Sequence, residues 1–163
     1  MSDEPAPTRI ARIEVDARTL ARATELQRAE WRVLIDELAG EELASTSGAS
    51  ALVVERTDDF ARVRLERSDG TVASVVDLHS STMSSLYDEY VGIVRMMMDH
   101  ELPLPRLEAL DMAKKVVHDR AARTLRAELA DLDARIEGLR RLFSLVVALR
   151  VEPRDIRATR RHG

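Results

Sequence analysis

The sequence predicts an α+β fold: a small antiparallel sheet of three or four strands with one face covered by helices, and an all-helical C-terminal half. Three runs typical of β-strands follow one another between residues 51 and 78, and Asp69-Gly70 separates the last two as in a tight hairpin. Within residues 61–66 apolar and charged side chains alternate, which predicts one buried sheet face and one solvated face. After residue 103 the apolar residues recur at helical spacing.

The elements can be predicted in order along the chain. A short strand is expected in RIARIEV, residues 9–15, and helical spacing follows over residues 17–39. Thr24 and Gln27 match a capping box, so the helix could instead begin there. The run LFSLVVAL in the last helix is apolar on nearly every side, which indicates a central position. Three helices are expected after the strands, from about Met83 to Asp99, from Pro105 to Leu129, and from Asp131 or Asp133 to Arg150.

Length and composition predict a single domain. The chain has 163 residues, of which 45% are hydrophobic, and this is enough to fill one core. We expect the domain to span residues 9–151. Residues 1–8 contain two prolines and are expected to be a flexible N-terminus, and the basic residues 152–163 are expected to form a flexible tail.

Several classes of site and location are disfavoured by missing motifs. The chain has no cysteine, and it contains no Gly-rich phosphate loop and no serine-hydrolase elbow. Its four histidines, His79, His100, His118 and His162, show no close metal-binding spacing. We therefore predict no catalytic residue, no metal and no cofactor. The opening residues lack a secretory signal and the apolar runs are too short to cross a bilayer, so we expect a cytoplasmic protein without a membrane partner.

Charge is distributed unevenly between the two halves of the chain. Residues 1–102 hold 11 Lys and Arg against 20 Asp and Glu, a net charge of -9. Residues 103–163 hold 14 against 9, a net charge of +5. The favoured interpretation is that the acidic half packs against the basic half of the same or a neighbouring subunit. The alternative is a surface for nucleic acid or another anionic partner.

The strongest candidate site lies on the helix that begins near Pro105. Asp111 and His118 border its apolar stripe, but seven residues of helix separate them by roughly 10.5 Å, too far for a direct acid-base pair. Lys114 and Lys115 lie one turn from Asp111 and can pair with it. The structural interpretation is an ion-pair network along the helix edge. The functional interpretation is a cationic site with a titratable histidine that binds a carboxylate or phosphate.

Two stretches carry a family resemblance. LDMAKKVVHD, residues 110–119, and RRLFSLVVAL, residues 140–149, resemble the bacterial Uncharacterised Protein Family 0262. The resemblance spans residues 9–151 and implies a shared fold without implying an activity. The chain departs from the family where Arg150 and Val151 stand in place of a His and a Trp. The family-like positions are Asp111, Met112, Lys114, Lys115, His118, Arg140, Arg141, Leu142 and Phe143.

Three hypotheses for function follow. The favoured one is a non-enzymatic protein-interaction or regulatory module, a homo-oligomer or a binder of another protein, because no catalytic constellation is evident and the apolar helices are extensive for one small sheet. The alternative is a binder of a small anion, or an enzyme, in which Asp111, Lys115 and His118 meet Arg140 or Arg141. Weak nucleic-acid binding through the basic C-terminal segment is a second alternative. It is disfavoured because only 3% of residues are aromatic and no DNA-reading motif is present.

Overall fold

The computed structural model describes residues 6–78, 81–99 and 101–150. Within these ranges the chain forms seven strands and five helices. The strands are β1 (Thr8–Arg9), β2 (Arg12–Val15), β3 (Ala44–Ser45), β4 (Ala51–Arg56), β5 (Ala61–Glu66), β6 (Val72–Leu78) and β7 (Leu132–Asp133). The helices are α1 (Ala17–Ala21), α2 (Glu25–Ala39), α3 (Ser81–Met97), α4 (Leu104–Glu128) and α5 (Ile136–Arg150).

The main sheet has four strands in the order β2-β4-β5-β6. The α+β fold class and the helical C-terminal half are confirmed. The pairs β4–β5 and β5–β6 are antiparallel as predicted, and Asp69-Gly70 lies in the turn between β5 and β6. The pairing of β2 with β4 differs from the prediction because it is parallel. The chain passes through α1 and α2 between these two strands, and a crossover of that length permits parallel pairing.

The two faces of β5 meet different environments. Ala61, Val63 and Leu65 are buried, in agreement with the alternation in the sequence. On the opposite face, Arg64 pairs with Asp16 at 3.2 Å and with Glu66 at 2.8 Å. Ion pairs therefore cover the solvated face of β5, while its apolar side chains belong to the core.

A second sheet joins three two-residue strands in the order β1-β3-β7, with both pairings antiparallel. These strands bring together segments that are far apart in the sequence. One consequence concerns α5, which begins at Ile136 and not at Asp131 or Asp133 as predicted. Leu132–Asp133 pair with β3, and backbone bonded to a neighbouring strand cannot also begin the helix.

The helix α2 begins after Thr24, as the capping box predicts. The Thr24 hydroxyl accepts a hydrogen bond from the Gln27 backbone N–H at 3.1 Å, and the Gln27 side chain accepts one from the Thr24 N–H at 2.9 Å. Residues 17–21 form the separate helix α1, which Asp16 caps. The predicted helix over residues 17–39 is therefore two helices with the break at the alternative start.

The helix α5 is the centre of the helical half. Both α2 and α4 pack against α5, and α5 also contacts β4. This agrees with the central position predicted from its apolar run. Its buried residues are Gly138, Leu139, Leu142, Phe143, Leu145, Val146, Val147 and Leu149.

Some sequence predictions concern residues outside the described ranges. They involve His79, His100, His162, the start of segment 1–8 and the basic tail 152–163. The division into a domain and two flexible ends stays a prediction. Among the helices of the described ranges, none combines the length and the apolar character needed to cross a bilayer.

Candidate functional site

A cavity of about 500 Å³ lies where α2, α4 and α5 meet. Ten of its eleven lining residues have charged or polar side chains. The lining residues are Leu34 and Glu37 from α2, Asp111, Lys114, Lys115, His118 and Asp119 from α4, and Glu137, Arg140, Arg141 and Ser144 from α5.

Helical periodicity explains why α5 contributes polar groups to the cavity. Its four lining residues, Glu137, Arg140, Arg141 and Ser144, have the spacing i, i+3, i+4 and i+7 and therefore share one side of the helix. The remaining sides of α5 are mostly buried. A single polar stripe on an otherwise apolar helix thus runs along the cavity.

The same spacing occurs on α4. Asp111, Lys114, Lys115 and His118 are also at i, i+3, i+4 and i+7, so they present one side of α4 to the cavity. All six residues singled out from the sequence line this cavity, since Arg140 and Arg141 lie on the α5 stripe. The structure brings these six residues together. Their role in binding stays a prediction.

The two α5 arginines that line the cavity are held by carboxylates from all three helices. Arg140 pairs with Asp119 of α4 and with Glu137 at 3.1 Å. Arg141 pairs with Glu37 of α2 at 3.1 Å and with Glu41, just beyond that helix, at 2.9 Å. These ion pairs fasten α5 to both neighbouring helices and fix the guanidinium groups in place.

The two lysines differ from each other. Lys115 is 70% exposed and pairs with Asp111 at 3.2 Å, an i, i+4 pair of the predicted kind. Lys114 is half-buried and makes no ion pair within the ranges that the structure describes. These are also the only lysines of the chain, in which every other basic residue besides histidine is an arginine. Among the described residues, Lys114 is therefore a cation that the surrounding carboxylates have left unpaired.

His118 lies between aromatic rings at the edge of the cavity. Its ring centroid is 5.0 Å from that of Tyr90 and 5.6 Å from that of Phe143. Burial lowers the pKa of His118 below its ordinary value, and the positive charges of Lys114 and Arg140 lower that pKa further. His118 is consequently a neutral imidazole at neutral pH, with one nitrogen able to donate and the other able to accept.

Two buried nitrogens of the site have no hydrogen-bond partner among the described residues. They are Nε2 of His118 and Nε of Arg140. Most buried polar atoms in proteins are hydrogen-bonded, so unpaired ones are informative. Both belong to residues that line the cavity, next to the unpaired Lys114. The arrangement leaves Lys114 as the lining cation that is free to bind a ligand with oxygen acceptors, beside two buried nitrogens without partners among the described residues.

Sequence reasoning did not select five of the lining residues. Glu137 and Ser144 could have been found, because they complete the polar stripe of Arg140 and Arg141 on an apolar helix. Asp119 could be suspected only from its proximity to His118. The two α2 residues, Leu34 and Glu37, carry no local signal, since only the packing of α2 on α5 brings them to the cavity.

The prediction that no metal is bound rests on the sequence alone. In the described part of the chain, no three His, Asp or Glu side chains are grouped as ligands for a metal ion. The acidic residues of the cavity are engaged by lysine and arginine instead.

Comparisons with known proteins bear on the whole chain, including this cavity. Neither the search of curated proteins nor the search of solved structures gives a match. The profile of the Uncharacterised protein family (UPF0262) matches residues 7–152, which is most of the chain. It covers the cavity residues of α2, α4 and α5. The chain therefore belongs to this uncharacterised family.

Proposed function

We propose that this protein binds a small molecule through its carboxylate or phosphate group in the cavity between α2, α4 and α5. The observation that supports the proposal best is Lys114, a half-buried cation that lines the cavity without a carboxylate partner among the described residues, together with the unpaired Nε of Arg140 and Nε2 of His118 in neighbouring lining residues. The volume of about 500 Å³ is within the usual range for small-molecule sites.

The free energy of hydrogen bonding favours such a ligand. A buried donor without a partner destabilises a protein by about 1–3 kcal/mol, and an oxygen acceptor from a ligand removes this penalty. A carboxylate or phosphate suits the site because charge-assisted hydrogen bonds to Lys and Arg are the stronger ones. The ion pairs of Arg140 and Arg141 hold the walls in position before the ligand arrives, so little order must be gained on binding.

The test is a binding screen with wild-type protein and two matched variants. Thermal shift followed by calorimetry would use inorganic phosphate, acetate, succinate, glutamate and γ-aminobutyrate as probes. Lys114→Ala removes the unpaired cation, and we expect it to weaken binding about tenfold or more. Arg123→Ala removes an exposed cation of α4 that does not line the cavity, and we expect no change. The proposal fails if no probe binds, or if the Lys114 variant binds as tightly as wild type.

Lysine labelling locates the ligand independently. Because the chain has only two lysines, acetylation followed by mass spectrometry reports on Lys114 and Lys115 without interference from others. A bound anion should protect Lys114 from acetylation, whereas the exposed Lys115 should change less. Equal labelling of Lys114 with and without a binding probe would place the ligand elsewhere.

Homo-oligomerisation is a second candidate, supported by the exposed apolar residues of α4. Leu104, Met112 and Val116 are 65%, 63% and 54% exposed. The fully buried residues of α4 begin only at Val117, so the first half of this helix is covered sparsely. A second copy of the chain would bury these side chains. Light scattering over a concentration series should show a dimer or larger species that Met112→Glu converts to monomer, and a wild-type monomer at high concentration would eliminate this candidate.

A further inference from the structure

The charges around the cavity are balanced, which restricts the ligand. Four cations and four carboxylates line it, and His118 adds no charge at neutral pH because the imidazole is neutral. The cations are Lys114, Lys115, Arg140 and Arg141, and the carboxylates are Glu37, Asp111, Asp119 and Glu137. A formally neutral lining does not attract a multiply charged anion as a whole.

The positive and negative charges are nevertheless not evenly distributed. Each of the two arginines in the cavity lining contacts two carboxylates, Asp119 and Glu137 for Arg140, and Glu37 and Glu41 for Arg141. Negative charge is therefore in excess around Arg140 and Arg141. Around Lys114 on α4 positive charge is in excess, because Lys114 has no carboxylate partner among the described residues while Asp111 pairs with Lys115 and Asp119 with Arg140.

From this separation, and resting on the function proposed above, we infer that the ligand is a small zwitterion of the amino-acid class. Its carboxylate or phosphate binds Lys114, and its ammonium group binds Glu137 of the α5 stripe or Glu37 of α2. Each of these arginines neutralises one of the two carboxylates that it contacts, and the ammonium group of the ligand neutralises the other. A second negative group at the same place would be repelled by it, so a dianion gains at one end and loses at the other.

The inference is tested with pairs of probes that share a carbon skeleton. β-Alanine is compared with malonate, γ-aminobutyrate with succinate, and δ-aminovalerate with glutarate, by calorimetry on the wild-type protein. Each zwitterion and its partner have the same chain length and differ in one terminal group. We expect the best zwitterion to bind about tenfold more tightly than its dicarboxylate, and Lys114→Ala to abolish the binding of both.

A double variant tests whether Glu37 and Glu137 bind the ammonium group of the ligand, because neutralising them should reverse the preference for zwitterions over dicarboxylates. Glu37→Gln combined with Glu137→Gln keeps the size of both side chains and leaves Arg140 paired with Asp119 and Arg141 paired with Glu41. We expect zwitterions to bind several-fold more weakly and dicarboxylates several-fold more tightly. The matched control, Glu30→Gln with Glu108→Gln, neutralises exposed glutamates of α2 and α4 outside the cavity and should change neither.

The outcomes separate this inference from the proposed function. If dicarboxylates bind through Lys114 as tightly as zwitterions in every pair, the ligand is a simple anion and only the inference is wrong. The inference also fails if the double variant weakens both classes alike, because a structural role for the glutamates would do that. If neither class shows binding that depends on Lys114, the proposed function falls as well.

Discussion

The imidazole of His118 is half-buried beside the rings of Tyr90 and Phe143, next to the cations Lys114 and Arg140. This setting lowers the pKa of His118 in the folded chain below the value of 6.5 that an ordinary histidine has. The unfolded chain therefore binds a proton at this residue before the folded chain does. Protonation of His118 consequently favours the unfolded state.

The expected result is a pH-dependent part of the stability that belongs to His118. At pH values well above 6.5 both states are neutral at this residue and its contribution is complete. As the pH falls below 6.5 the free energy of unfolding decreases, until the folded chain is protonated too. Denaturant unfolding from about pH 8 to about pH 5 should show a smaller slope for His118→Gln than for wild type. Identical slopes would mean that His118 titrates normally in the folded chain.

Arg150 joins the end of α5 to the loop between β4 and β5. Its guanidinium donates hydrogen bonds to the backbone oxygens of Thr57 at 3.0 Å, Asp58 at 3.3 Å and Phe60 at 3.3 Å. It also lies 5.9 Å from the centre of the Phe60 ring. The family resemblance marks this position as a departure from the family, and the structure gives the arginine there a packing role.

We expect Arg150→Met to lower the free energy of unfolding by about 1–3 kcal/mol, because three carbonyls lose a charged donor. Arg123→Met is the control, since Arg123 is exposed on α4, and it should change the stability by no more than about 0.5 kcal/mol. Urea titration followed by circular dichroism measures both. Equal stabilities of the two variants would show that Arg150 contributes nothing to folding.

Among the elements, α2 has the best-defined beginning. Thr24 and Gln27 exchange two hydrogen bonds that satisfy free N–H groups of the first turn. We expect Thr24→Ala to lower the free energy of unfolding by about 1 kcal/mol. Thr24→Ser retains the hydroxyl and should remain within a few tenths of a kcal/mol of wild type. If the serine variant loses as much as the alanine variant, the cap is not the cause.

The long elements could be predicted from the sequence, and the two-residue strands could not. The spacing predicts α4 over residues 105–129, and the helix occupies Leu104–Glu128, because many residues repeat one periodic signal. The strands β1, β3 and β7 have two residues each, too few to show any alternation. Their formation depends on partner strands that are distant in the sequence. Because β7 occupies Leu132–Asp133, α5 begins only at Ile136.

At the scale of the whole molecule, one contiguous apolar core connects sheet and helices. Trp31, the only tryptophan, is 3% exposed in it, and its indole N–H donates to the Ala148 oxygen of α5 at 3.0 Å. We expect a single unfolding transition in which Trp31 fluorescence and far-ultraviolet circular dichroism have the same midpoint. Two separate midpoints would show that the α2–α5 contact and the remaining helices unfold independently.

The acidic and basic halves of the chain form some ion pairs with each other. Arg141 pairs with Glu37 and Glu41, and Arg120 lies 3.6 Å from Glu89, so the basic half contacts the acidic half at several points. These contacts agree with the interpretation favoured from the sequence, in which the acidic half packs against the basic half, and here both halves belong to the same chain. Other ion pairs remain within a half, as in Arg140 with Asp119. The net charges of the two halves therefore indicated that the halves would form ion pairs with each other, but they did not indicate which residues would pair.

The sequence by itself determined the fold class, the long helices, the hairpin, the capping box and the charged edge of α4, because each depends on periodicity or on neighbours within a few residues. Only the tertiary structure decided that this edge and the polar stripe of α5 border one cavity, that Glu37 of α2 joins them and that Lys114 is left without a carboxylate among the described residues. The parallel pairing of β2 was decided in the same way. The physical reason is that contacts between distant segments depend on how several apolar faces pack at once, which no local pattern encodes.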